Sequence, residues 1–111
     1  MSVGMIGDYG TIFRDMVVRR GQDFVNVYEL SGGQSFAVDT TADFEIYARD
    51  RSTLLGFWPA ADVTTTTVSV QVLAALLDSI PNGAFYTLYV QEPGYPRVAW
   101  FEGPVWRKGR A

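Results

Sequence analysis

Residues 84–91 read Ala-Phe-Tyr-Thr-Leu-Tyr-Val-Gln, and this stretch decides the fold class. The apolar residues Tyr86, Leu88 and Val90 alternate with residues that face the other way, which is the two-residue period of a β-strand. The segment lies between two typical turn sequences, Pro-Asn-Gly before it and Pro-Gly after it. We therefore predict a strand whose apolar face packs into a core.

The segments on either side of this strand have the same character. Residues 43–49 alternate cleanly, and residues 64–72 are rich in β-branched side chains, which favour strands. The inward positions predicted for these two segments are Phe44, Ile46, Ala48, Val68, Val70 and Val72. Further strands are predicted at 11–18, 23–30, 53–58, 97–102 and 105–107, the last two separated by Gly103-Pro104. Residues 73–80 have helical spacing over two turns.

The spacing of these segments predicts an all-β fold built as an antiparallel β-sandwich. About seven short strands are separated by turn signals about every 8–12 residues, with one short helix late in the chain. The chain has 111 residues without a repeat or linker, so we predict a single domain over residues 11–111. Residues 1–10 contain several Gly and Ser positions, and we predict an extended amino-terminal arm that contacts a partner or joins a sheet edge.

The composition excludes several classes of function. Cysteine and histidine are both absent, which excludes thiolate and imidazole metal sites, cysteine nucleophiles and histidine bases. The net charge of −3 argues against binding nucleic acid through its phosphates. No apolar run approaches the roughly 20 residues that span a membrane. We therefore expect a non-enzymatic protein without a cofactor, a nucleic-acid partner or a membrane contact.

Aromatic side chains make up 14% of the chain and are expected to supply much of the core. The rings assigned to the core are Phe57, Trp58, Tyr86, Trp100 and Trp106. Phe85, Tyr89 and Tyr95 lie on the opposite face or in a turn, and we expect them to form an exposed patch.

Four aspartates in the predicted turns are candidate calcium ligands. Calcium binds about six to eight oxygens, usually from one compact loop. Asp39, Asp43, Asp50 and Asp62 lie in different turns, so we interpret them as solvated loop tips.

The residues assigned to partner binding belong to the arm, to an arginine-containing turn, to exposed aromatic positions and to the basic carboxyl-terminal segment. They are Met5, Ile6, Tyr9, Arg19, Arg20, Tyr89, Tyr95, Arg107, Lys108 and Arg110. Arginine and aromatic side chains are enriched at interfaces, which supports this assignment. The alternatives are a solvated turn at Arg19-Arg20-Gly21 and a solvated chain end at 107–110.

The order of several motifs resembles that of a known group of proteins. Arg-Gly-Gln-Asp-Phe begins a strand at 20–24, a Gly-rich hairpin follows, Ile-Pro-Asn-Gly at 80–83 precedes the strand at 84–90, and Gly-Pro-Val at 103–105 closes the last strand. Over residues 17–107 the chain resembles small immunoglobulin-like β-sandwich proteins of tailed-phage virions. These include short structural proteins of actinobacteriophages and the amino-terminal domain of upper-baseplate proteins. The resemblance implies an immunoglobulin-like sandwich located in the virion, with a structural role and no catalytic residues.

The leading hypothesis is a capsid decoration protein that binds the assembled shell and stabilises it by mass action. Its partners would be the major capsid protein or other virion subunits, or further copies of itself as a homo-oligomer. One alternative is a structural protein of the tail, neck or baseplate. Another is a carbohydrate- or host-surface-binding module, with sugar rings stacked on Tyr89, Tyr95 or Trp106. An enzyme ranks last, because it would need a deep pocket with a perturbed carboxylate.

Overall fold

The computed structural model describes residues 11–30 and 32–108, and within them the chain forms nine strands and one short helix. The bounds are β1 Ile12–Phe13, β2 Met16–Arg19, β3 Phe24–Glu29, β4 Thr41–Tyr47, β5 Leu54–Pro59, β6 Asp62–Val63, β7 Thr67–Val72, α1 Ala74–Leu77, β8 Phe85–Gln91 and β9 Val98–Lys108. The helix has one turn, where the residue spacing predicted two.

The strands form two sheets with the core between them. The larger sheet has the order β1-β9-β8-β4-β5, with β2 also pairing with β9, and the smaller sheet has the order β3-β7-β6. Strands β1 and β2 run parallel to β9, whereas the other pairs are antiparallel. The predicted all-β, immunoglobulin-like sandwich is confirmed, and the parallel ribbon along β9 is an addition to it.

The core follows the predicted alternation of side chains. Leu88 of β8, Phe44 of β4 and Val68 of β7 are all completely buried. Ala48 was expected to continue the inward face of β4, but it follows the end of that strand and is only half-buried. Its amide donates to the carbonyl of Thr53 at 2.8 Å, so Ala48 belongs to the turn that connects β4 with β5.

Aromatic rings fill the centre of the core. The rings of Phe44 and Tyr86 stack with their centroids 5.4 Å apart, and Trp58 lies 6.3 Å from Phe44. The ring of Trp100 meets Phe36 edge to face at 5.3 Å. Tyr86 and Trp100 are buried and Trp58 is half-buried, which confirms three of the five core assignments.

The prediction that Phe57 and Trp106 belong to the core is wrong. Phe57 is 48% exposed and Trp106 is 40% exposed. Successive residues of a strand point to opposite faces, so only one of two neighbours can enter the core. Trp58 enters the core from β5 and Val105 enters it from β9. Their neighbours Phe57 and Trp106 therefore lie outside the core.

The sequence predicts a continuous first strand and an interrupted last strand, and the structure shows the opposite. The last strand continues through Gly103 and Pro104 without interruption, whereas the predicted strand at 11–18 is split into β1 and β2. In the parallel ladder, the amide of Arg14 donates to the carbonyl of Glu102 at 2.8 Å. The regular pattern would then have residue 104 donate back to the carbonyl of Arg14. Proline has no amide hydrogen, so that hydrogen bond cannot form.

Tyr86 supplies the missing donor. Its hydroxyl donates to the carbonyl of Arg14 at 2.6 Å, across 72 positions of sequence. A side chain at Gly103 would collide with the same Arg14 carbonyl, so the close approach of the two backbones requires glycine there. The buried hydroxyl therefore joins the amino-terminal ribbon to the centre of the larger sheet.

Substitution of a buried leucine tests the assigned inward face. Leu88→Ala removes a completely buried side chain, and we expect the free energy of unfolding to fall by about 2–5 kcal/mol. Leu76→Ala makes the same chemical change at a position that is 49% exposed, and we expect a change within about 0.5 kcal/mol. Urea unfolding measures both. Equal effects of the two substitutions would show that the inward face of β8 is assigned wrongly.

Removal of one hydroxyl tests the link between Tyr86 and Arg14. Tyr86→Phe keeps the ring and removes the donor, and we expect a loss of about 0.5–1.5 kcal/mol in unfolding free energy. Amide hydrogen exchange should also become faster at Arg14, because the ribbon loses a neighbouring attachment. Tyr95→Phe is the matched control at an exposed position. Unchanged exchange at Arg14 in Tyr86→Phe would contradict the proposed role of the hydroxyl.

Candidate interaction surfaces

The outward side of the larger sheet, named here the outer face, is covered by its own side chains. One row across it runs Phe57, Glu45, Thr87, Glu102 and Phe13 in strand register. Glu45 is only 7% exposed and Thr87 only 5%, although both point away from the core. The outer face is therefore an organised layer of side chains rather than an ordinary solvated sheet surface.

A cluster around Glu45 holds one half of this layer. Glu45 accepts hydrogen bonds from the hydroxyl of Tyr47 and from Nη1 of Arg97, the latter at 3.0 Å. The guanidinium of Arg97 lies 3.7 Å from the centroid of the Tyr89 ring, a cation–π distance. The hydrogen bond to Glu45 is the main cause that raises the pKa of Arg97, and with burial it raises the pKa of Tyr47. The cluster keeps Arg97 charged and Tyr47 protonated.

A second pair of arginine and aromatic ring covers the neighbouring part of the outer face. The guanidinium of Arg51 lies 4.0 Å from the centroid of the Phe85 ring, and the ring of Phe13 lies 6.3 Å from it. Phe85 is consequently only 7% exposed. The expectation that Phe85 belongs to an exposed patch is wrong, because side chains from a turn and from β1 cover it.

The turn that carries Arg51 is held by Asp50. The Asp50 carboxylate accepts hydrogen bonds from the amides of Ser52 and Thr53 and from the Thr53 hydroxyl, at 2.8–2.9 Å. These hydrogen bonds lower the pKa of Asp50 to about 2. Asp50 is thus an acceptor for its own turn, and this arrangement holds Arg51 in the left-handed conformation with φ of 63°.

Apolar side chains remain exposed at the outer edge of this face. Leu54, Leu55 and Phe57 of β5 are 51%, 40% and 48% exposed. A β-bulge makes Tyr47 pair with Leu54 while Ile46 pairs with Gly56, so Leu55 has no partner in the ladder. We call these three residues the β5 strip. The sequence held a signal for them, because two adjacent leucines and Phe57 cannot all face the core of one strand.

The predicted partner-binding residues that the structure describes separate into two groups at opposite ends of β9. Tyr89 and Tyr95 lie near the end where β8 turns into β9, with Tyr89 half-buried under Arg97 and Tyr95 46% exposed. Arg19 pairs with Lys108 at the other end, and Arg20 follows in the adjoining turn. The other four assigned residues lie outside the described residues: Met5, Ile6, Tyr9 and Arg110.

Arg107 has partners inside its own domain. Its Nη1 atom donates to the carbonyls of Leu77 and Ile80 at 2.8 and 2.9 Å, and its Nη2 atom lies 3.5 Å from the Asp78 carboxylate. Both carbonyls lie at the end of the helical segment, and that of Leu77 also accepts from the amide of Ile80 at 2.9 Å. Asp78 also accepts from the amide of Gly21, whose φ of 75° forms the predicted turn. Arg107 therefore ties the end of α1 to β9.

The aromatic rings proposed for sugar stacking do not form one platform. Tyr95 and Trp106 lie at opposite ends of β9, and Tyr89 is covered by a guanidinium. No local sequence pattern predicts that Arg97 covers Tyr89, because Arg97 and its anchor Glu45 are 52 positions apart.

One surface cavity of the described chain is lined almost entirely by uncharged side chains. A surface cavity of about 570 Å³ is lined by Asp39 together with alanine, valine and threonine side chains. Within residues 11–30 and 32–108, no group of three or more acidic side chains is placed to hold a metal ion. None of the helical structure in this part of the chain has the length and apolar content to cross a membrane.

A family model supplies the assignment that the geometry alone leaves open. The model for the LtfC-like β-sandwich domain matches residues 11–108, a range that includes every described residue. The chain belongs to the LtfC-like β-sandwich domain family. LtfC is related to phage tail fibres, so the resemblance to phage β-sandwich proteins is confirmed at this level. The narrower assignment to actinobacteriophage proteins is not part of that confirmation.

Two of the solved structures that match this chain come from studies of cell adhesion. One is the extracellular domain of the voltage-gated sodium channel β4 subunit, described as a parallel homodimer, with 12% identity and a TM-score of 0.45 over 87% of this chain and 93% of that one. Another, from a study of adhesive interactions of sodium channel β subunits, has 13% identity and a TM-score of 0.41 over 84% and 91%. A search of curated protein sequences finds no match.

Alkaline titration tests the Glu45 cluster. The pKa of Tyr47 is raised above its ordinary value of 10, chiefly by the hydrogen bond to Glu45, and burial raises the pKa values of Tyr28 and Tyr86. The unfolded state therefore loses these protons first, so their contribution to stability is complete below pH 10 and declines above it. We expect the unfolding free energy to fall above pH 10, and to fall less steeply in Tyr47→Phe. Identical pH profiles for the two proteins would contradict the assigned bond.

Proposed function

We propose that the protein is a non-enzymatic structural module of a phage tail, and that its sandwich contacts neighbouring virion subunits. Membership of the LtfC-like family supports the phage and tail parts of this proposal.

The exposed β5 strip is the observation that supports contact with a partner. Leu54, Leu55 and Phe57 lie on an edge strand beside a rigid cluster, so a partner would meet a surface that is already ordered. Contiguous exposed apolar side chains on soluble proteins usually mark interaction sites. Preorganised surfaces also lose less conformational entropy on binding.

The chemistry of the outer face supports a structural role over a catalytic one. Its most buried acid, Glu45, is engaged by Arg97 and Tyr47, and its arginines are stacked on aromatic rings. A catalytic acid or base needs a substrate position within hydrogen-bonding reach. On the outer face the Glu45 carboxylate is hydrogen-bonded to Arg97 and Tyr47 instead, and these hydrogen bonds make the surface rigid.

The location within the particle is tested by copy number. Capsid decoration, the leading hypothesis from the sequence, requires about one copy per major shell subunit, because only the shell offers that many equivalent sites. A tail module requires a much smaller number. Quantitative mass spectrometry of purified particles should therefore give a ratio to the shell protein far below one. A ratio near one would support decoration of the shell instead, and absence from particles would overturn a virion function.

Substitutions in the β5 strip test whether this surface attaches the protein. Leu54→Lys and Phe57→Lys, introduced together, should lower incorporation into particles at least about tenfold, because buried interface anchors commonly contribute more than 1.4 kcal/mol each. The control is Val38→Lys, at a position 75% exposed and outside the strip. Circular dichroism should show all variants folded. Normal incorporation of the folded double variant would exclude the strip as the attachment surface.

A further inference from the structure

The strand β3 is an edge strand without the usual protection against pairing. Other edges of the described sheets are interrupted or short: β5 carries a bulge and ends at Pro59, β6 has two residues, and β1 is separated from β2. By contrast, β3 has six residues in unbroken register with β7 and contains neither proline nor lysine. Natural proteins usually block such edges, because unpaired backbone groups accept another strand.

The backbone groups available on this edge can be assigned. The amide of Leu30 donates to the carbonyl of Thr66 at 2.9 Å, which makes this a hydrogen-bonded pair of the antiparallel ladder. Such pairs alternate with pairs that do not exchange hydrogen bonds. Val25, Val27 and Glu29 therefore direct their amides and carbonyls away from β7, toward the open side.

A groove runs along this open edge between β3 and the ribbon formed by β1 and β2. Its two parts have volumes of about 210 and 350 Å³. The lining of the part near the start of β3 includes Val17, Arg19, Asp23 and Val25, and that of the other part includes Ile12, Arg14, Val27 and Glu29. We call it the β3 groove.

The walls of the β3 groove combine exposed apolar side chains with one arginine and one carboxylate in each part, Arg19 with Asp23 and Arg14 with Glu29. Val25 is 64% exposed and Val27 is 52% exposed. Among the described residues, neither Arg14 nor Arg19 forms a salt bridge. An extended strand with apolar side chains would cover the exposed valines and would pair with the free backbone groups of β3.

We propose that the β3 groove binds the arm, residues 1–10, of a second copy of the chain as an added strand. The arm contains the apolar residues Val3, Met5 and Ile6 and one carboxylate, Asp8. Ten residues in an extended conformation reach about 33 Å, and the six residues of β3 need about 20 Å. The second copy would be met in the tail, so the proposal rests on the proposed structural function.

The direction of the chain favours a second copy over the arm of the same molecule. Strand β1 lies opposite the Glu29 end of β3, and the chain runs from there along the ribbon to the turn at 20–23. A segment that precedes Thr11 would have to reverse its direction to lie along β3 of its own copy. Insertion into another copy needs no reversal, and it makes a heterologous contact that can continue from copy to copy.

Two full-length variants test the proposal by complementation. Val27→Pro removes an amide on the open side of β3 and keeps the bonds to β7, and Val27→Ala is its matched control. Met5→Asp with Ile6→Asp alters the arm, and Ser2→Asp is the control there.

Sedimentation velocity should show concentration-dependent association of the unchanged chain and both controls. Each test variant alone should associate at least about tenfold more weakly, and their mixture should form a one-to-one complex. If Val27→Pro fails to fold, Val25→Lys with Val27→Lys replaces it.

Three other outcomes would contradict either the binding of a second copy or the proposed function. An unchanged chain that stays monomeric at all concentrations would overturn binding of a second copy, even where the protein is found in tails. Association that persists in Val27→Pro would place the contact elsewhere and would also overturn it. Association in solution together with absence from purified particles would overturn the proposed function and leave the β3 groove assignment intact.

Discussion

The lack of an amide hydrogen at Pro104 is the constraint on which the amino-terminal side of the sandwich depends. It breaks the ladder beside Arg14, and the hydroxyl of Tyr86 fills the break from the middle of the core. The ribbon of β1 and β2 is thereby fixed to β9 in the larger sheet. Because the ribbon pairs with β9, it does not pair with β3, and the smaller sheet keeps an open edge.

The outer face and the open edge of β3 offer different kinds of groups to a partner. On the outer face, Glu45 and Arg97 fix aromatic rings, and the apolar β5 strip lies beside this stiff layer. At β3, the backbone itself is available along a regular strand. A domain with one side-chain surface and one backbone surface can contact two neighbours at once, which is what the proposed structural function would require.

The strands could be predicted from the sequence because their side chains alternate, and Leu88, Phe44 and Val68 are buried as expected. The sequence does not show which residues of β5 and β9 face the core. Phe57-Trp58 and Val105-Trp106 are each pairs of adjacent apolar residues, and tertiary packing determines which member is buried. The break opposite Pro104 depends on which strand lies beside β9, a long-range fact. The Glu45 cluster joins residues far apart in sequence, and no local pattern predicts it.

Amide hydrogen exchange measured residue by residue tests most directly whether the β3 edge accepts a strand. In the associated chain, the outward amides of Val25, Val27 and Glu29 should exchange as slowly as those of Asn26 and Tyr28, which bond to β7. In the arm variant with Met5→Asp and Ile6→Asp, only the outward amides should become fast. Fast exchange of the outward amides in both proteins would contradict strand addition at β3.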